Sequence, residues 1–148
     1  MVVVILNKQE VTTITQKILV PKVSPKQVYD AYVPRKTSEF TGSEATGKPF
    51  VGGKFTAWDD YISGKFLELE DGKRVVQEWI STDFPDGYPP SMLELTFCGV
   101  PKGTEIVMVH SNVPREIADD AAEGWIDFYW EPLKEYFKEQ SKRIPNAP

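Results

Sequence analysis

Few side chains in this 148-residue sequence could do covalent or metal chemistry, and they are scattered. His110 is the single histidine and Cys98 the single cysteine. A nucleophilic pair would require the two to meet across a sheet with a third group orienting the base. The plainer reading is a strand histidine and a small buried thiol. Asp59 and Asp60 could hold a hard cation only if the distant Asp71 or Asp83 joined them, since such ions want several oxygen ligands at organised spacing. A solvated hairpin turn is the simpler role. Glu78 and Glu94 are candidates for general acid work if an apolar pocket raised their pKa. In SMLELTFCG, however, Glu94 alternates with Leu93 and Leu95 and so should face solvent. Glu78 is ambiguous, because Val75, Gln77 and Trp79 share one face of its strand and Val76, Glu78 and Ile80 the other. Gly52-Gly53 lacks the spacing of a phosphate-binding loop. The sequence therefore implies no catalytic residue, no metal site and no cofactor.

Bulk properties narrow the partners. A net charge of −5 without a basic run argues against nucleic acid. No apolar stretch approaches the roughly 18 residues of a membrane span. The opening MVVVILNKQE lacks the basic region and cleavage site of a leader and reads as a short strand or an ordered tail. One cysteine forms no internal disulfide. A single domain spanning 1–148, soluble and cytoplasmic, is expected.

The elements that would position these residues follow from periodicity. TTITQKILV (12 to 20) has the β-branched density of a strand. Ser24-Pro25-Lys26-Gln27 is a capping box with proline at the first helical position, so a helix starts there and turns Val28, Tyr29, Ala31 and Tyr32 inward. Pro34 ends it, and a second short helix through Phe40 is closed by Gly42. From Gly52 the pattern changes to β-runs at 53 to 58, 62 to 70, 73 to 82, 91 to 99 and 103 to 111, separated by turn residues as in successive antiparallel hairpins. Finally Ala118, Ala121, Ala122, Trp125, Phe128, Tyr129, Leu133, Tyr136 and Phe137 recur at three- and four-residue steps, one face of an amphipathic helix. Pro132 removes one hydrogen bond at a cost of about 3 kcal/mol, while each buried ring contributes roughly 1.5 to 3 kcal/mol, so a kinked continuous helix is expected. An antiparallel sheet wet on one side needs a cover, and this helix is the element able to supply it. The expected fold class is α+β, a curved antiparallel sheet around a long C-terminal helix.

The stretches GGKFTAWDDYISGKFLELEDGKRVVQEW (52 to 79), EGWIDFYWEPLKEYF (123 to 137) and VYDAYVPRKTSEFTG (28 to 42) resemble the C-terminal domain of the activator of the ninety-kilodalton heat-shock chaperone ATPase. The likeness runs from Thr12 to Phe137. It implies the helix-grip fold of the START and Bet v-like superfamily, whose members often hold apolar ligands between helix and sheet. The eukaryotic activator carries a further N-terminal domain that makes its principal chaperone contact, and no such domain is expected within these residues. Phe66, Gln77, Trp79, Met108, Trp125 and Tyr129 are expected between sheet and helix, either as plain core or as walls of a site for a small hydrophobic molecule with a polar end. In the loop 82 to 92, Phe84 and Tyr88 are expected to be exposed beside prolines, as contacts for a chaperone or another protein. The first function expected is non-catalytic carriage or sensing of a hydrophobic molecule. The alternative is a co-chaperone-like interaction module. An enzyme acting on a hydrophobic ring compound is supported only by fold analogy.

Overall fold

The computed structural model describes residues 10–32, 45–47, 51–57 and 61–143. The described strands are β1 (Val11–Pro21), β2 (Ala45–Gly47), β3 (Lys54–Ala57), β4 (Ile62–Glu70), β5 (Arg74–Ser81), β6 (Ser91–Val100) and β7 (Gly103–Pro114). They form one antiparallel sheet in the order β1-β7-β6-β5-β4-β3-β2. The expected β-runs are all present, and β2 is an additional short strand that no periodicity announced, since three residues are too few to carry one. The N-terminal strand or tail, the second short helix through Phe40 and the Asp59-Asp60 turn lie outside the described residues.

Helix α1 (Pro25–Tyr32) begins where the capping box requires. The Gln27 amide N–H donates to Ser24 Oγ at 3.3 Å, and the Ser24 N–H donates to Gln27 Oε1 at 2.9 Å. Its buried face is the expected set Val28, Tyr29, Ala31 and Tyr32. Tyr29 meets Phe97 of β6 edge to face at 5.8 Å, fixing α1 on the same face of the sheet as the C-terminal helix.

That sheet face is built by strict alternation. Leu93, Leu95 and Phe97 of β6 are buried between half-buried Met92, Glu94, Thr96 and Cys98. Across the ladder they lie opposite His110, Met108 and Ile106 of β7, and Val75 and Gln77 of β5 stand opposite Leu95 and Leu93. This settles β5: Val75, Gln77 and Trp79 point inward, and Glu78 belongs to the other face. Glu94 is on that outer face too, where Arg74 Nε donates to it at 2.7 Å and Arg74 Nη1 reaches Glu68 at 2.9 Å.

The C-terminal helix runs through three abutting segments, α2 (Arg115–Gly124), a π-helical segment (Trp125–Trp130) and α3 (Glu131–Arg143). The expected disturbance at Pro132 thus takes the form of a widened turn just before the proline, where the Glu131 N–H bonds to the Ile126 carbonyl five residues back. The widening has a packing cause. In α winding, residues five apart point roughly 140° away from one another. Wound to five-residue bonds, Trp125 and Trp130 instead stack at 5.3 Å and 17°, and Trp125, Tyr129 and Trp130 are all buried. Phe128 is consequently turned out. It was expected on the inner stripe and is 55% exposed.

Gly64 of β4 stands opposite both Phe55 and Trp79 in the ladder, and a Cβ there would lie 1.9 Å from the Glu78 carbonyl oxygen. Gly64→Ala therefore forces two strands apart and is expected to destabilise the protein by about 2–4 kcal/mol. A urea-denaturation midpoint unchanged from the parent would contradict this packing.

Candidate functional site

The site lies where α2 and the π segment pass over the inner face of β4 and β5. Three inward groups of the sheet, each from a different strand, tie the helices down. On β1, Gln16 Nε2 donates to the Ala122 carbonyl at 3.0 Å, and its Oε1 accepts from Trp130 Nε1 at 2.7 Å. On β5, Gln77 Oε1 accepts from the Tyr32 hydroxyl at 2.6 Å. Burial raises the Tyr32 pKa well above its ordinary value, so the phenol stays a donor. On β7, His110 forms the third tie, and it is the most constrained.

His110 is fully buried, with Trp125 Nε1 donating to its Nδ1 at 3.1 Å and Ser91 Oγ 2.7 Å from its Nε2. The Ser91 hydroxyl proton goes to the Trp79 carbonyl at 2.5 Å. Indole offers only a donor, so Nδ1 is the acceptor and Nε2 carries the proton that Ser91 Oγ accepts. One unbroken chain therefore joins helix, β7, β6 and β5. Desolvation pushes the imidazole pKa down to about 3, and a proton on Nδ1 would point two N–H groups at each other. Cys98 has no part in this. It pairs with Glu105 while His110 pairs with Leu93, about 17 Å along the strand and on the opposite face. Cys98 is half-buried, not the buried thiol expected.

Beside this tie a cleft of about 700 Å³ opens between helix and sheet. Its floor is Ile62, Trp79, Trp125 and Tyr129, and Ile117, Ala121, Gly124 and Phe128 of the helix form one wall. Small residues at 121 and 124 leave the room. The polar rim is Tyr61, Ser81, Asp83 and Asp120. The Tyr61 hydroxyl donates to Asp83, and its pKa is raised by burial first, then by that bond and by the negative charges of Asp83 and Asp120. The floor is a ring cluster: Trp125 lies 4.6 Å from Tyr129 and 5.8 Å from Trp79, and Trp79 meets His110 edge to face at 4.7 Å.

Of the residues expected to line a site, Trp79, Trp125 and Tyr129 come together in the cleft. Phe66, Gln77 and Met108 are buried core and do not line it. Phe84, expected to be exposed, is 8% exposed and packs on Trp79 at 6.1 Å. An aromatic amid prolines and glycine is here drawn down by the tryptophan at the end of β5. Tyr88 is partly buried against the same core. Sequence reasoning missed Trp130, hidden by the assumption of α winding, and the rim residues Tyr61, Asp83 and Asp120, which come from three separate segments. Among the described residues no group of three metal-ligating side chains occurs, and Asp71 and Asp83 are apart, bound to Lys26 and Tyr61. No described helix is long and apolar enough to cross a membrane.

Among the described residues, a seven-stranded antiparallel sheet gripping a long C-terminal helix, with a cleft between them, defines a helix-grip fold. The family profile "Activator of Hsp90 ATPase homolog 1-like protein" matches residues 22–138, and the chain belongs to that family. The human activator of 90 kDa heat shock protein ATPase homolog 1 is 30% identical over 115 residues, covering 77% of this chain and 34% of the human protein. The Dictyostelium discoideum homolog is 30% identical over 122 residues, covering 80% of this chain and 31% of its own. The chain thus spans about a third of the length of these relatives. Among solved structures, an HSP90 activator from Plasmodium falciparum superposes with a TM-score of 0.73 at 21% identity, covering 86% of this chain and 96% of that one. A Mesorhizobium loti protein superposes equally well, at 0.73 and 21%, covering 86% and 97%. Both share the fold.

Two predictions rest on the His110 tie. Trp125→Ala removes a buried indole and is expected to cost about 3–5 kcal/mol, whereas Trp125→Phe, which keeps a ring but leaves Nδ1 without its donor, costs about 1–3 kcal/mol. A Trp125→Phe variant that melts with the parent would deny the hydrogen bond its share. The second concerns pH. Because the folded pKa, about 3, lies below that of the unfolded chain, near 6.5, the unfolded state takes up the proton first. Stability held at neutral pH is therefore lost as pH falls below about 6.5, at up to about 1.4 kcal/mol per unit. In His110→Asn this contribution disappears. Denaturant midpoints at pH 7 and pH 5 that shift equally in parent and variant would refute it.

Proposed function

We propose that this family member is a non-catalytic binding protein that holds a small hydrophobic molecule in the cleft between β4, β5 and the C-terminal helix. The observation that carries this reading is the cleft itself, about 700 Å³ with an aromatic floor and a short polar rim. Such a composition suits an apolar body buried among rings and a polar end left at the mouth. His110, which could have served as a base, is absent from the lining and has both nitrogens committed to Trp125 and Ser91, which supports binding over catalysis.

A second reading, an interaction module for a chaperone, draws on relatives named as activators of the 90 kDa heat shock protein ATPase. In that case the exposed Phe128 and Ile126 on the helix are better contact candidates than the buried Phe84. Capture of this chain by an immobilised Hsp90, weakened by Ile126→Ser with Phe128→Ser, would support it. No capture, or capture indifferent to both changes, would count against it.

The first reading is tested with N-phenyl-1-naphthylamine, a neutral probe that brightens in apolar surroundings. Its fluorescence is expected to rise on binding and to fall back in Ala121→Phe, which fills the cleft from the helix wall. Enhancement undiminished in that variant, or none in the parent, would overturn it.

A further inference from the structure

We infer that the cleft selects amphiphiles whose polar end is cationic, an alkyl- or arylammonium in place of a carboxylic acid or phosphate ester. This rests on the cleft being a ligand site and concerns the sign of charge it accepts. The rim brings Asp83, from the loop after β5, and Asp120, from α2, near Tyr61, whose hydroxyl feels both carboxylates and donates to the first. Among the described residues that line the cleft there is no lysine, arginine or histidine. Among the described residues the ion pairs engage Glu10, Asp30, Glu68, Asp71, Glu94 and Glu131, and neither Asp83 nor Asp120 has a basic partner.

The mouth is therefore a pair of uncompensated negative charges above an aromatic floor. Ring faces add to the same preference, because the quadrupole of Trp or Tyr attracts a cation placed over it. Tyr61 and Phe128 stand at the entrance, with Trp79 and Trp125 below them. An ammonium group at the rim would meet two carboxylates and at least one ring face while its chain lies on the apolar floor. A carboxylate in that position would meet two like charges, with nothing among the described lining groups to neutralise it.

The test compares three probes of one chain length, dodecylammonium, dodecanol and dodecanoate, below their micellar concentrations, by tryptophan fluorescence titration. The expected order of affinity is ammonium, then alcohol, then carboxylate, with about tenfold or more between the first and last at low salt. The ammonium-to-alcohol ratio should fall towards one in Asp83→Asn with Asp120→Asn, and should shrink in 0.5 M salt as exposed charges are screened. Equal binding of all three, or a preference for dodecanoate, overturns the charge selection while leaving the cleft a ligand site. Ammonium binding that survives Ala121→Phe shows attachment to the acidic surface alone and also overturns it. Binding of none of the three overturns both this inference and the site on which it rests.

Discussion

A neutral imidazole held between an indole donor and a serine oxygen is the contact on which the rest of this structure depends. Hydrophobic burial would press the C-terminal helix onto the sheet in many registers, because rings slide over rings at little cost. The Trp125–His110–Ser91–Trp79 chain has one geometry, and breaking it would strand polar groups in a water-free interior. With Gln16 holding Ala122 and Trp130, it sets both the height and the rotation of the helix. The π segment follows from that setting. Trp125 and Trp130 must both reach sheet partners, and only a widened turn puts residues five apart on one side.

The same ties explain why the cleft opens where it does. Towards β1 and β7 the helix is pulled close, and Trp130 and Leu133 are buried. Over β4 and β5 no polar tie reaches α2 among the described residues, and the helix presents Ala121 and Gly124 there. Small residues above and a curved sheet below leave space with Trp79, Trp125 and Tyr129 as its floor. The Trp125 ring and the Trp79 carbonyl belong to the tying network, so anything entering the cleft rests directly on the element that fixes the helix.

Much of the fold was legible because β6 and most of β7 alternate strictly and α1 announces itself by a capping box. SMLELTFCG faces as its pattern demands, and the inner parity of Ile106, Met108 and His110 was available to place the histidine inside. What periodicity could not convey was a change of winding. A 3.6-residue stripe assigned Phe128 inward and passed over Trp130, and the structure reverses both. The site was half legible. Trp79, Trp125 and Tyr129 are large rings on converging elements, whereas Phe66, Gln77 and Met108 have the same inward parity but sit where packing is complete. Tyr61, Asp83 and Asp120 look like ordinary turn and surface residues, and only the closure of the fold makes them one rim. Phe84 went the other way, since its proline- and glycine-rich surroundings read as surface while the nearby Trp79 offered a place to bury it.

His110 is the only histidine, so its two ring nitrogens can be followed in isolation by 15N NMR. The structure requires a neutral ring protonated at Nε2, with shifts that stay constant as the folded protein is taken from pH 8 to pH 4.5. A ring that titrates near its ordinary pKa, or that carries its neutral-state proton on Nδ1, would mean that Trp125 is not bound to it and that the helix is held in some other way.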